Sequence, residues 1–114
     1  MSRDIIRTWS ELPWEPTRPD VAFRVLGSRL VPKGADIQAV TLTRVESKGE
    51  FTIHADNYHH VFLFLEGHGE GWIDDESYEI KPRLIVRVAA GQSHGYRNTN
   101  SSDLIILTIN YSGT

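Results

Sequence analysis

The stretch Gly49-Glu50-Phe51-Thr52-Ile53-His54-Ala55-Asp56-Asn57-Tyr58-His59-His60-Val61-Phe62-Leu63-Phe64-Leu65-Glu66-Gly67 decides how the chain reads. Its aromatic and β-branched residues suit half-buried strands. On a strand, residues of like parity share a face, so His54 and Asp56 point one way. By the same rule His60, Phe62 and Phe64 share a face, and His59 turns to the other. A strand-borne His-x-Asp pair, joined by imidazoles from neighbouring strands, can enclose a divalent ion and leave coordination positions open. The chain has no cysteine, which excludes disulfides and thiolate metal sites and leaves imidazole and carboxylate as donors. The remaining histidines are His68, beside glycines, and the isolated His94.

Outward from this stretch, short apolar segments recur between turn residues, and no helix-period stripe runs longer than about three turns. Strands are expected at 21–25, 37–45, 51–54, 61–65, 71–73, 77–80, 85–88, 95–98 and 104–109. Turns are expected at Pro32-Lys33-Gly34, Glu66-Gly67-His68-Gly69, Asp74-Asp75-Glu76, Ala90-Gly91 and Asn98-Thr99-Asn100-Ser101-Ser102. Strands spaced about ten residues apart suit an all-β jelly roll or barrel. Pro13, Pro16 and Pro19 beside Trp9 and Trp14 exclude a helix or a central strand there. Residues 1–20 therefore read as an extended arm and residues 21–114 as one domain. The apolar side chains of Ile5, Ile6, Trp9, Leu12 and Trp14 need cover, from the barrel or from a dimer partner.

At 114 residues the chain has room for one core. Its 39% apolar and 24% charged residues match ordinary globular domains and exclude a disordered chain. A net charge of −3 without a Lys/Arg run argues against nucleic acid or an anionic membrane as partner. No apolar stretch nears the roughly 20 residues that cross a bilayer, and no signal-peptide pattern follows Met1-Ser2-Arg3-Asp4. A cytoplasmic protein with a small-molecule ligand is the expectation.

The chain also resembles the cupin superfamily, whose first motif runs G-x5-H-x-H-x3/4-E-x6-G. His54, Asp56, His60 and Gly67 fall at its two histidine positions, its glutamate position and its last glycine, with Gly49 near the first. The second motif, G-x5-P-x-G-x2-H-x3-N, finds Gly91, His94 and Asn98, while Arg83 and Ala89 replace its first glycine and proline. The resemblance covers about residues 37–109 and implies a double-stranded β-helix, the cupin or jelly-roll barrel. It also implies one divalent metal ion, Mn, Fe, Ni or Zn, held by His54, Asp56, His60 and His94. His60 in place of the usual glutamate is similar to the single-domain cupins that bind manganese through four histidines, and Asp56 turns that set into three histidines and one carboxylate.

Each of these residues has an ordinary reading as well. Asp56 could cap an Asx turn with Asn57, His94 could be structural, and a bulge could exchange His59 for His60. Phe62, Phe64, Tyr96 and Ile106 could line a pocket over the metal or simply fill the core. Arg44 and Arg87 could face inward to meet a substrate carboxylate. Small cupins imply three functions here. The first is dioxygenase-like or oxidative cleavage of a small oxygen-bearing molecule. The second is metal-assisted isomerase or lyase chemistry, with Tyr96 or His59 as the base, and the third is binding or sensing without turnover. Edge strands and the aromatic arm point to a homodimer.

Overall fold

The computed structural model describes residues 6–113. Ile5 and the residues Met1 to Asp4 lie outside the described residues. Two antiparallel sheets face each other. The larger has the order β1-β9-β6-β11-β4, formed by Ile6–Thr8, Leu84–Val88, His59–Glu66, Leu104–Ser112 and Asp36–Val45. The smaller has the order β5-β10-β7-β8, formed by Glu50–His54, His94–Asn98, Gly69–Ile73 and Glu76–Ile80. A two-stranded ribbon pairs β2, Glu15–Pro16, with β3, Leu26–Gly27. The result is an all-β jelly roll, and among the described residues the only helical element is one 3-10 turn, Trp9–Glu11.

The sequence explains the central strands directly. β6 is bordered by β9 on one side and β11 on the other, and it reads as an apolar run, Val61-Phe62-Leu63-Phe64-Leu65, because both of its faces are covered. β11 instead alternates after its first residues: Leu107 and Ile109 face out while Thr108 and Asn110 face in. Between the sheets, Phe62, Phe64, Val86, Val88, Leu104 and Ile106 meet Ile73, Ile80 and Tyr96. Each large apolar side chain buried there contributes on the order of 1.5–3 kcal/mol.

Two close approaches need glycine. Gly67 turns β6 into β7 at φ +91°, and a Cβ there would lie 2.6 Å from the Asp103 carbonyl oxygen. Gly71 lies opposite Tyr78, whose ring occupies the space a Cβ would take.

The chain before β4 covers the outer face of the larger sheet. Trp9, Leu12, Leu30, Val31 and Ala35 pack on Val61, Leu63, Ile85, Ile109 and Tyr111. This cover differs from the sequence expectation in two ways. Residues 21–25 form turns and bends rather than a strand, with Val21 and Phe23 exposed. The Val21 and Ala22 N–H groups donate to the Arg18 carbonyl, and Arg24 sits at φ +59°, so this backbone turns on itself instead of meeting a neighbouring strand. β-branched residues make a strand only where a partner lies alongside. The second difference is the tight turn at Trp9–Glu11, which follows the pairing of β1 with β9 and is closed by the Thr8 N–H donating to the Glu11 carboxylate at 2.8 Å.

Candidate metal centre

Four elements bring donors to one end of the interior. His54 ends β5, His60 is the second residue of β6, His94 opens β10, and Asp56 lies in the loop between β5 and β6. Asp56 is thus not strand-borne, as parity had suggested. Its position depends on the loop, where its carbonyl accepts the Gly91 N–H at 2.8 Å. His54 depends on a β-bulge. Opposite β10, His54 pairs with His94 but Phe51 pairs with Tyr96, so Thr52 and Ile53 together face Gly95. Phe51 and His54, three residues apart, therefore both line the interior cleft. A Cβ on Gly95 would lie 2.8 Å from the Phe51 carbonyl oxygen, so the bulge presses on a residue without a side chain.

Three imidazoles converge on one carboxylate oxygen. Asp56 Oδ2 lies 3.2 Å from His54 Nε2, 3.0 Å from His60 Nε2 and 3.6 Å from His94 Nε2. Donor atoms of His54, Asp56 and His94 all lie within 4.8 Å of one another, a group that could hold a metal ion, and His60 joins it through Asp56. The ring nitrogens facing away are tied down. His54 Nδ1 bonds the Thr52 carbonyl at 2.7 Å, His94 Nδ1 the Gln92 carbonyl at 2.9 Å, and His60 Nδ1 the Asn110 side-chain oxygen at 2.7 Å. A backbone carbonyl can only accept, so Nδ1 of His54 and His94 carries the hydrogen, and in the neutral ring Nε2 then presents a lone pair.

Lone pairs aimed at a carboxylate repel it. Three imidazolium ions around one carboxylate would instead leave two uncompensated positive charges in a largely buried site. Burial pushes the His94 pKa down, with the neighbouring His60 and His54 adding to the shift against the opposing Gln92 carbonyl and Asp56, so its neutral form is favoured. A divalent cation held by the His54, Asp56 and His94 group, with His60 beside Asp56, would remove the conflict. Ligands about 2.1 Å from a common ion stand roughly 3.0 Å apart at a right angle and roughly 3.4 Å apart at the tetrahedral angle. The 3.0–3.6 Å spacings around Asp56 are of that size. The outward hydrogen bonds are the kind that orient imidazole ligands.

The donors sit in a cleft of about 320 Å³. Of the residues expected around a pocket, Phe62 and Tyr96 line it, whereas Phe64 and Ile106 are fully buried in the core between the sheets. Burial raises the Tyr96 phenol to about 12, so it stays protonated at neutral pH and is no general base there. His59 lies across the strand: its Nδ1 accepts the Ala90 N–H at 2.9 Å and its ring packs on Tyr111. His68 is exposed in the β6–β7 turn. Neither arginine enters the cleft, since Arg87 donates to the Leu30 carbonyl and Arg44 lies 3.8 Å from Asp103.

Sequence reasoning did not single out Thr41, Thr43, Phe51, Tyr58, Thr108 or Asn110, all of which line the cleft. A signal for four of them was present. Thr41 and Thr43 alternate with Val40 and Leu42, and Thr108 and Asn110 with Leu107 and Ile109, the pattern of a strand with one polar face.

The sequence matches the family described as Cupin domain over residues 41–110. No curated protein gives a significant match. Among solved structures, one from Thermotoga maritima described as a predicted oxalate decarboxylase is 18% identical, with a TM-score of 0.63 over 67% of this chain and 67% of the other. The protein TT1209 from Thermus thermophilus is 20% identical, with a TM-score of 0.60 over 74% of this chain and 89% of the other. The cupin domain of Cnp3 from Schizosaccharomyces pombe is 10% identical, with a TM-score of 0.65 over 91% of this chain and 71% of the other. Identities this low carry the fold alone. The family match spans more than half of the residues and includes all four donors, so the chain belongs to the cupin superfamily.

Proposed function

We propose that this cupin holds one divalent ion, Mn, Fe, Ni or Zn, through His54, Asp56, His60 and His94. We propose further that it acts oxidatively, in the manner of a dioxygenase, on a small oxygen-bearing organic molecule. The observation that carries this reading is the convergence of three Nε2 atoms on Asp56 Oδ2 in a cleft open to solvent. Four protein donors would leave two positions of a six-coordinate ion open, or one of a five-coordinate ion, and such an ion would supply Lewis acidity and, for Fe or Mn, one-electron chemistry. The chain itself supplies orientation. Thr52, Gln92 and Asn110 fix the imidazoles, and the aromatic side chains of Phe51, Phe62 and Tyr96 line the cleft and limit water beside the donors.

Proton-transfer chemistry of the isomerase or lyase kind has less support. Apart from the four donors, the only titratable side chains among the described residues of the cleft are Tyr58 and Tyr96. The same observation favours, as a second reading, a small-molecule binding cupin without turnover. Elemental analysis of protein purified without a metal-affinity tag, followed by oxygen-uptake assays, separates these readings. About one Fe or Mn per chain with substrate-dependent oxygen uptake supports the oxidative reading. Metal and tight ligand binding without turnover supports the binding module, and no metal after reconstitution overturns the centre.

We also propose a homodimer. β4 is an edge strand whose outward Val40 and Leu42 are 60% and 66% exposed. Light scattering that gives a monomer mass at micromolar concentration would end this proposal. Among the described residues no helix is long and apolar enough to cross a membrane.

A further inference from the structure

Once the four donors are set aside, the cleft has two unlike walls. One is neutral and polar: Thr41 on β4 stands directly opposite Thr108 on β11, with Thr43 two residues along β4 on the same face. The other is aromatic: the Phe51 ring stacks on His54 at 4.9 Å and meets Tyr96 edge-on at 5.5 Å. Among the described residues lining the cleft there is no lysine or arginine. The absence of a cation matters because three neutral imidazoles, one carboxylate and a divalent ion leave a single net positive charge. A singly charged ligand neutralises that charge. A dianion leaves a negative charge in a partly desolvated cleft with no protein cation to meet it, which is costly.

We infer, resting on the metal-centre reading above, that the cleft takes a flat, singly charged oxygen chelator, of the enolised hydroxyketone or 1,3-diketone type, and discriminates against dicarboxylates and phosphate esters. The aromatic wall fits the flat face of such a molecule, and the threonine hydroxyls can donate to oxygens on its edge. A cleft of about 320 Å³ is of the size that takes a small organic molecule.

The test uses the full chain loaded with Mn²⁺ or Zn²⁺ and calorimetric titration with maltol, oxalate and glucose 6-phosphate, with metal content measured on the recovered protein. Maltol should bind at least tenfold more tightly than either of the others. The double variant Thr41→Val/Thr108→Val should weaken maltol about fivefold with metal content unchanged. Thr43→Lys should raise oxalate affinity at the expense of the preference for maltol. Fully metallated protein that prefers oxalate or the sugar phosphate, or shows less than a tenfold preference, overturns this inference and leaves the metal centre standing. Removal of the metal by maltol also counts against it. Failure to take up metal at all overturns both.

Discussion

The inner faces of β6 and β11 differ sharply between their two ends. At one end His60, Thr108 and Asn110 face the cleft, and at the other Phe64 and Ile106 have no exposed surface at all. The strands and their register are continuous across this change, with Asn110 opposite His60 and Ile106 opposite Phe64. The apolar end supplies hydrophobic stabilisation, while the polar end brings His60 to within 3.0 Å of the Asp56 carboxylate. The packed end holds the two sheets together, so that His60 from one sheet and His54 and His94 from the other are held around Asp56.

The largest effect that would test this division is at the packed end. Phe64→Ala should cost about 3–5 kcal/mol in denaturant unfolding. Any correctly folded fraction should keep its metal stoichiometry, and a variant that folds normally but loses metal would show that the two ends are not separable. At the cleft end the pattern reverses. Asp56→Ala removes the only anionic donor and the atom on which all three imidazoles converge, so metal affinity should fall at least a hundredfold, about 2.7 kcal/mol. Stability of the metal-free variant should rise or stay level, since opposing lone pairs are relieved. If Asp56→Ala binds metal as well as the parent, Asp56 is not a ligand.

A smaller effect is expected one step out from the donors. Asn110→Ala frees His60 Nδ1 and should weaken metal binding about 10- to 100-fold while leaving the stoichiometry at saturating metal unchanged. An unchanged affinity would mean that the β6 backbone alone orients His60. The subtlest effect concerns pH. Burial raises both Tyr78, with Tyr96 nearby adding to it, and Tyr96, the latter to about 12. Each is raised above the unfolded value of about 10, so the stability they contribute is full below about pH 10 and is lost as pH rises through their folded values. Ultraviolet titration of the native chain should show at most two of its four tyrosines ionising below pH 11. Early ionisation of Tyr96 would restore it as a candidate base.

Much of this was legible in the residues. The runs around β6, β9 and β11, the turns at Gly67, Asp74 and Gly91, and the candidate donors at 54, 56, 60 and 94 follow from local patterning and motif spacing. Other features were not legible because they arise between distant segments. Parity placed His54 and Asp56 together for the wrong reason, since one ends a bulged strand and the other lies in a loop. Residues 21–25 carry strand-like side chains without a strand beside them. Phe64 and Tyr96 look alike as aromatic strand residues, yet one fills the core and the other lines the cleft.

By itself the sequence determined that the chain is all-β and that any metal donors must be imidazole or carboxylate. Side-chain chemistry and spacing are local properties. Only the tertiary structure decided that Phe51 joins His54 at the cleft, that three Nε2 atoms meet at one oxygen of Asp56, and that Thr41 faces Thr108 across a wall without a cation. Those facts depend on strand register, on the bulge opposite Gly95 and on pairings up to dozens of residues apart along the chain, which no window of the sequence contains.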